Sequence, residues 1–190
     1  MPNFLLSRMT AQHVKVVLTG EGADELFAGY EYLRAFTDPE RLHLELVRTI
    51  ESLHNLNLQR CDRVTMAHGL EARVPFLDRE VIEWALRLPP GFKLAGPGQP
   101  EKRLLREAFD GWLPHELLWR DKAEFGDGSG AADVLTAAIE AEIDIEDFEL
   151  ERGLVQPPLR TREELAYYRI FIEHLGGVRP EATISRFATA

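Results

Sequence analysis

The chain has 190 residues, enough for one domain that buries about 70% of its extended-chain surface, and its 22 basic and 32 acidic residues give a formal net charge of −10. This acidic balance argues against a nucleic-acid or membrane-surface partner. The single cysteine, Cys61, excludes an internal disulfide, and together with the lack of a ~20-residue apolar run and of a signal-peptide pattern it predicts a cytoplasmic protein.

An apolar run near the amino terminus predicts a strand that is followed by a sharp turn and a helix. The run is rich in β-branched residues, is typical of a strand buried on both faces, and consists of Val14, Val16, Val17 and Leu18. Gly20 and Gly22 allow the chain to turn sharply, which leaves Thr19 and Glu21 at the carboxyl end of the strand. Open α/β sheets bind ligands at that end. Asp24 then falls in the first turn of the following helix, whose dipole favours negative charge.

Apolar residues at helical spacing and helix-end signals account for most of the remaining chain. Helices are predicted over 3–12, 56–67, 101–109 and 134–143, with a short helical turn at 114–119. Three more helices are predicted to begin after the capping residues Asp38, Asp78 and Thr161. The helix after Thr161 is predicted to end at Gly176 and Gly177. Loops are predicted at 69–77, 91–100 and 120–130, where the helical pattern breaks or Gly, Pro and polar residues cluster.

These elements predict an α/β fold that is predominantly helical, with one clear parallel-type strand and about seven or eight helices. A single strand cannot form a sheet, and buried backbone groups without hydrogen bonds cost ~1–3 kcal/mol each. We therefore expect neighbouring strands to come from another chain or from a part of this one that lies upstream of residue 1.

The stretch TGEGADELFAGY at residues 19–30 resembles a signature of the asparagine synthetases, a branch of the PP-loop ATP pyrophosphatases, which reads S/T-G-E-G-x-D-E-x-F-x-G-Y. Two further segments resemble family motifs. Residues 71–78 resemble E-x-R-V-P-F-L-D, and residues 120–125 resemble R-x-K-x-x-F. The resemblance implies the carboxyl-terminal part of a PP-loop synthetase domain, in which aspartate is adenylated by Mg-ATP, pyrophosphate leaves and ammonia attacks.

The resemblance also implies roles for individual residues. Glu21 is the expected acid/base group, Asp24 the Mg²⁺ ligand, and Lys122 the catalytic lysine that binds pyrophosphate or the intermediate. The expected nucleotide-binding residues are Thr19, Gly20, Gly22 and Lys102. ATP and Mg²⁺ are thus the expected cofactors, and aspartate and ammonia the expected substrates. Arg73 and Asp78, in the second motif, are taken as structural: an ion-pair partner and a helix cap.

Two family features do not occur in the sequence: the phosphate-cradling S-G-G-x-D-S loop and the glutamine-hydrolysing domain with its N-terminal cysteine. We therefore expect residues 1–190 to be a single partial domain that is inactive until an amino-terminal half or a separate subunit joins it, with a homo-oligomer as a further expectation. Two alternatives stay open: a related amidotransferase or cyclase that acts on another carboxylate, and a non-catalytic remnant or interaction module.

Overall fold

The structure, a computed structural model, describes residues 2–96, 98–123 and 125–180. The predicted loops 91–100 and 120–130 each include one residue outside these ranges, Pro97 and Glu124. The described chain forms two compact units, Asn3–Lys122 and the residues from Ala123 onward, called here the first and second units. The prediction of one partial domain over 1–190 extends beyond the described residues and stays a prediction.

A two-stranded parallel sheet lies in the first unit. Strand β1, Val16–Leu18, pairs with strand β2, Glu71–Arg73, so that Val17 lies opposite Ala72. The prediction of one strand was therefore wrong, since β2 lies inside the predicted loop 69–77. Glu-Ala-Arg contains no β-branched or aromatic residue, and its extended conformation depends on hydrogen bonds to β1, which lies far away in the sequence.

The exposure of β1 contradicts a second prediction, that this strand is buried on both faces. Val16 is 47% exposed and Leu18 is 72% exposed, so the strand is not buried on both faces. Val16 and Leu18 lie on the same face of the strand, and the described residues leave this face largely uncovered. Apolar side chains that suit an interior strand are therefore exposed at this sheet.

Seven α-helices lie in the described residues before Lys122. They are α1 (Pro2–Thr10), α2 (Ala23–Leu26), α3 (Pro39–Ser52), α4 (Asn57–Met66), α5 (Arg79–Arg87), α6 (Arg103–Ala108) and α7 (His115–Leu118). Short 3₁₀ turns occur at Glu31–Ala35, Leu53–Asn55, Pro75–Leu77 and Pro90–Phe92. None of the helices among the described residues is long and apolar enough to cross a membrane.

Two apolar clusters hold the segment after β1 in place. Leu26 and Phe27 pack with Ala85 of α5 in one cluster. The other is built from the next residues of the chain and from α3, namely Ala28, Leu33, Leu42 and Leu46. Consecutive residues 26–28 thus enter different clusters, which fixes the backbone that carries α2.

The regular secondary structure of the second unit is all helical among its described residues. Its α-helices are α8 (Phe125–Gly128), α9 (Ala131–Glu142), α10 (Ile145–Glu151) and α11 (Arg162–Leu175), with a 3₁₀ turn at Arg152–Leu154. Their shared core consists of Ile139, Ile143, Phe148, Leu159 and Leu165. Helix α8 lies inside the predicted loop 120–130, and α10 was not predicted either. The prediction of seven or eight helices was low because helices this short give little periodic signal.

The predicted helix starts are confirmed by their capping bonds. Asp38 Oδ1 accepts a hydrogen bond from Glu40 N, and Asp78 Oδ1 accepts one from Glu80 N, each at 2.9 Å. Thr161 Oγ1 accepts one from Glu164 N at 3.1 Å. Helix α11 ends at Leu175 with Gly176 as its C-cap, as predicted. The structural roles expected for Asp78 and Arg73 are also confirmed, since Arg73 forms an ion pair with Glu71.

Candidate functional site

The turn between β1 and α2 is formed by the first motif. Thr19 N donates to Arg73 O at 2.9 Å, which extends the sheet pairing one residue beyond β1. Gly22 is the N-cap of α2 and has a φ of 95°, a left-handed conformation that favours glycine. A Cβ at Gly22 would also lie 2.4 Å from Leu77 Cδ2. The glycine therefore permits the turn from β1 into α2, the helix that carries Asp24.

Two lysine side chains meet at Asp24. Lys122 Nζ lies 2.8 Å and Lys102 Nζ lies 3.2 Å from the same oxygen, Asp24 Oδ1. Lys102 is the N-cap of α6, and Lys122 follows α7 along the chain. The structure thus brings together three predicted site residues that lie far apart in the sequence. Two ammonium groups on one carboxylate leave a local excess of one positive charge.

The ionisation of Asp24 reflects these partners. Burial opposes the charged form, but the Lys102 ammonium, followed by Lys122, outweighs it and holds the pKa of the Asp24 carboxyl below its usual value. Asp24 is therefore a carboxylate near neutral pH, and its negative charge keeps the two lysines close together.

Lys122 has two further contacts that fix its ammonium group. It donates to Gly29 O at 2.9 Å and lies 5.2 Å from the centroid of the Tyr30 ring, within cation–π range. The backbone of Gly29 also lies against Asp24, because a Cβ at Gly29 would be 2.0 Å from Asp24 Oδ1 and 3.0 Å from Asp24 Cα. Any side chain at Gly29 would force Asp24 out of its position.

A buried polar cluster holds the Tyr30 ring. Tyr30 OH donates to Glu25 Oε1 at 2.5 Å, and Asn57 Nδ2 donates to Tyr30 OH at 3.0 Å. Burial raises the pKa of the Glu25 carboxyl, and burial together with the Glu25 carboxylate raises the pKa of Tyr30 well above its ordinary value. Tyr30 thus stays a neutral hydrogen-bond donor, and its ring is fixed beside Lys122.

Glu21 lies on the same turn but has a different partner. Its Oε1 forms an ion pair with Arg60 Nη2 of α4 at 2.8 Å, rather than with Lys102 or Lys122. The neighbouring Gly20 is exposed, and a Cβ there would meet no atom within 4 Å. Cys61, next to Arg60, is buried, and burial raises the pKa of its thiol, which disfavours the reactive thiolate.

The expected Mg²⁺ ligand, Asp24, is not part of a larger group of metal-binding side chains among the described residues. These residues contain no group of three or more His, Cys, Asp or Glu side chains that could hold a metal ion. Mg²⁺ is commonly held by one or two carboxylates together with substrate phosphates and water. Asp24 fits as one such carboxylate, whereas Lys102 and Lys122 fit the phosphate oxygens of an anion.

Gly29, Tyr30 and Arg60 contact predicted site residues but had been given no role of their own. Gly29 and Tyr30 are fixed positions of the first motif, so the resemblance already marked them. Gly29 lies 93 positions before Lys122 in the sequence, and Tyr30 is the residue after Gly29. Arg60 lies in no motif, and no local pattern indicates its pairing with Glu21. The assigned roles of Thr19, Gly20, Glu21, Gly22, Asp24, Lys102 and Lys122 stay predictions.

Comparison with known proteins gives consistent matches over most of the chain. A family model described as asparagine synthase matches residues 1–39 and 34–159. The chain is 40% identical over 185 residues to a probable glutamine-hydrolysing asparagine synthetase of Schizosaccharomyces pombe. It is 41% identical over 187 residues to glutamine-hydrolysing asparagine synthetase 1 of Saccharomyces cerevisiae and 39% identical over 176 residues to asparagine synthetase B of Escherichia coli.

The matched region is a limited part of these relatives. The three alignments cover 92%, 92% and 90% of this chain, in the order given above, but 33%, 33% and 32% of the respective relative. The chain therefore spans about a third of the length of the curated relatives that it matches.

Proposed function

This chain belongs to the asparagine synthase family, and from that premise we propose that it takes part in the ATP-dependent synthesis of asparagine from aspartate. The observation that carries the proposal is the convergence of Lys102 and Lys122 on Asp24. A site for a departing pyrophosphate needs fixed cations, and two ammonium groups held within about 3 Å of one carboxylate oxygen supply them.

In the proposed reaction, an oxygen of the aspartate side-chain carboxylate attacks the α-phosphorus of ATP, and the bond to the β-phosphate breaks. Lys102 and Lys122 bind the pyrophosphate that leaves. Ammonia then attacks the acyl carbon, and the carbon–oxygen bond to AMP breaks. Glu21 takes the proton that the nitrogen loses, and Arg60 keeps that carboxylate oriented.

The β1–α2 turn is proposed to bind the nucleotide. Thr19, Gly20 and Gly22 lie at the carboxyl end of β1, where parallel sheets bind ligands. Gly20 is exposed and has no atom near its missing Cβ, so a nucleotide can approach the backbone there. Asp24 would hold Mg²⁺ as one ligand, and the metal would neutralise phosphate charge.

We further propose that residues beyond those described complete the site. Asp24 offers a single carboxylate, and β1 and β2 form a sheet of only two strands with exposed apolar side chains. Another polypeptide segment or subunit that adds strands to this sheet would bring additional ligands to the carboxyl ends of β1 and β2. The prediction that the isolated chain is inactive follows from this arrangement.

Pyrophosphate binding by the chain tests the anion site directly. We expect Lys122→Met to weaken pyrophosphate binding about tenfold or more, because a charge-assisted contact to phosphate is lost. Lys15→Met is the matched control, since Lys15 is an exposed lysine elsewhere in the first unit. Titration calorimetry measures the pyrophosphate affinity of both variants and of the unmodified chain. Equal affinity of Lys122→Met and the unmodified chain would refute the proposed anion site.

Release of pyrophosphate from Mg-ATP tests the reaction. The chain is assayed alone and after mixing with the amino-terminal portion of a family synthetase domain, with ammonium and either aspartate or another carboxylate. Release that depends on aspartate and is largely lost in Glu21→Gln supports the proposal. Release with a different carboxylate alone would identify a related ligase, and activity undiminished by Glu21→Gln would show that Glu21 is not the acid/base group.

A further inference from the structure

Arg106 is an extensively bonded side chain that the proposed reaction does not use. It lies on α6 one turn after Lys102, and only 13% of its side chain is exposed. Its Nε donates to Glu101 O at 2.9 Å, and its Nη2 forms an ion pair with the Glu101 carboxylate, which is 12% exposed. Its Nη1 donates to Leu118 O at 2.5 Å and to Arg120 O at 3.0 Å.

The four accepting groups belong to two separate segments of the chain. Glu101 directly precedes Lys102, and the carbonyls of Leu118 and Arg120 lie at the end of α7, just before Lys122. One guanidinium group therefore joins the backbone that carries one cation of the site to the backbone that carries the other.

We propose that Arg106 is a positioning residue that sets the spacing of Lys102 and Lys122 around Asp24, and thereby the affinity of the site for pyrophosphate. The inference rests on the anion site proposed above. Arginine suits this task because its planar group presents five donors in fixed directions, whereas a lysine presents one compact ammonium.

The backbone of Lys102 supports the proposal. Lys102 has a φ of 53° and a ψ of 35°, a left-handed conformation that is unfavourable for a residue with a side chain. Such a conformation persists where surrounding contacts determine it. The bonds from Arg106 to both the carbonyl and the carboxylate of Glu101 hold the residue before this strained position.

A double-mutant cycle on pyrophosphate affinity separates positioning from simple support of the fold. We expect Arg106→Gln to weaken binding about tenfold in the otherwise unmodified chain and less than about twofold in chains that already carry Lys122→Met. Arg106→Lys should restore little of the affinity, because one ammonium group cannot bond to both segments. Arg103→Gln is the matched control, since Arg103 lies on the same helix and pairs with Glu107 at the surface.

The outcomes distinguish this inference from the proposed function. If Lys122→Met weakens binding but Arg106→Gln does not, or if the two losses are independent and multiply, then Arg106 does not position the site. If Lys122→Met itself binds like the unmodified chain, the anion site is wrong. If circular dichroism shows that Arg106→Gln does not fold, Glu101→Gln is used instead. This change removes the charged partner of Arg106 and leaves its three backbone carbonyl partners in place. Coupling of Glu101→Gln to Lys122→Met is then the expected result, and its absence overturns the inference.

Discussion

Lys93 is a charged residue whose environment differs sharply from that of Lys122. Lys93 is 1% exposed, and its Nζ has no hydrogen-bond partner among the described residues. Burial lowers its pKa from 10.5 to about 8. Lys122, by contrast, has a carboxylate, a carbonyl and an aromatic ring around its ammonium group. Burial of an unpaired ammonium destabilises a fold, so Lys93 reduces the stability of the first unit near neutral pH.

Replacing Lys93 with methionine should stabilise the protein at pH 7 by roughly 1–3 kcal/mol. Between about pH 8 and 10.5 the unfolded state binds more protons than the folded state, so the unmodified chain gains stability as pH rises through this window. The advantage of Lys93→Met should therefore shrink toward pH 10.5. Urea unfolding at pH 7 and at pH 10 measures the difference in the free energy of unfolding between Lys93→Met and the unmodified chain.

Lys15→Met, at an exposed lysine position, provides the baseline for this comparison. A difference between Lys93→Met and the unmodified chain that stays constant from pH 7 to pH 10 would contradict a buried amine that titrates in the folded state.

At the scale of elements, helix α11 begins with a cap that differs from a reciprocal capping box. Thr161 Oγ1 accepts from Glu164 N, but Glu164 Oε2 accepts from Arg160 N at 2.6 Å, one residue earlier than the box predicts. The Glu164 carboxylate also pairs with the Arg160 guanidinium at 3.1 Å. The start of α11 is thus fixed by three residues, and Leu165 in its first turn enters the core of the second unit.

Thr161→Ala should lower the free energy of unfolding of the second unit by about 1 kcal/mol, because a backbone donor of α11 loses its partner. Thr136→Ala, at an exposed position inside α9, is the control and should be neutral or slightly stabilising, since alanine favours helix. Urea unfolding followed by circular dichroism compares them. Equal stability of Thr161→Ala and the unmodified chain would rule out a stabilising cap.

The capping residues could be predicted from the sequence because a cap acts within four residues. Strand β2 could not, since Glu71, Ala72 and Arg73 have no strand preference of their own and pair with a strand more than 50 residues earlier. The site follows the same division. The motifs marked Asp24 and Lys122 separately, but the hydrogen bond between these side chains forms only when folding brings distant segments together. The close contact between the Gly29 backbone and Asp24 is likewise visible only in the folded chain.

At the scale of the whole molecule, the first 18 residues expose a set of large apolar side chains. This amino-terminal apolar set, in which every member is at least 40% exposed, consists of Phe4, Leu5, Leu6, Met9, Val14, Val16 and Leu18. Single exposed apolar residues are ordinary, but seven in so short a segment mark an interaction surface or a source of aggregation. The unpaired edge of β1 adds exposed backbone groups within the described part of the chain.

The chain is therefore expected to self-associate or to bind a hydrophobic dye. Replacing both Val16 and Leu18 with threonine should lower dye fluorescence and self-association without reducing the free energy of unfolding, because both side chains are exposed and threonine favours strands. Leu44→Thr, at another exposed leucine, is the control. Dye titration and light scattering measure the two effects, and a monomer that binds no dye would contradict the expectation.

The bond between Lys122 and Asp24 joins residues 98 positions apart, and this separation has a consequence for biosynthesis. At about 5–20 residues per second, a ribosome adds Lys122 about 5–20 s after Asp24. Until then, the Asp24 carboxylate lacks one of the two cations that offset its burial, and an unpaired charge resists leaving water. The helix that carries Asp24 consequently gains its final neighbours late, only after 98 further residues have been added.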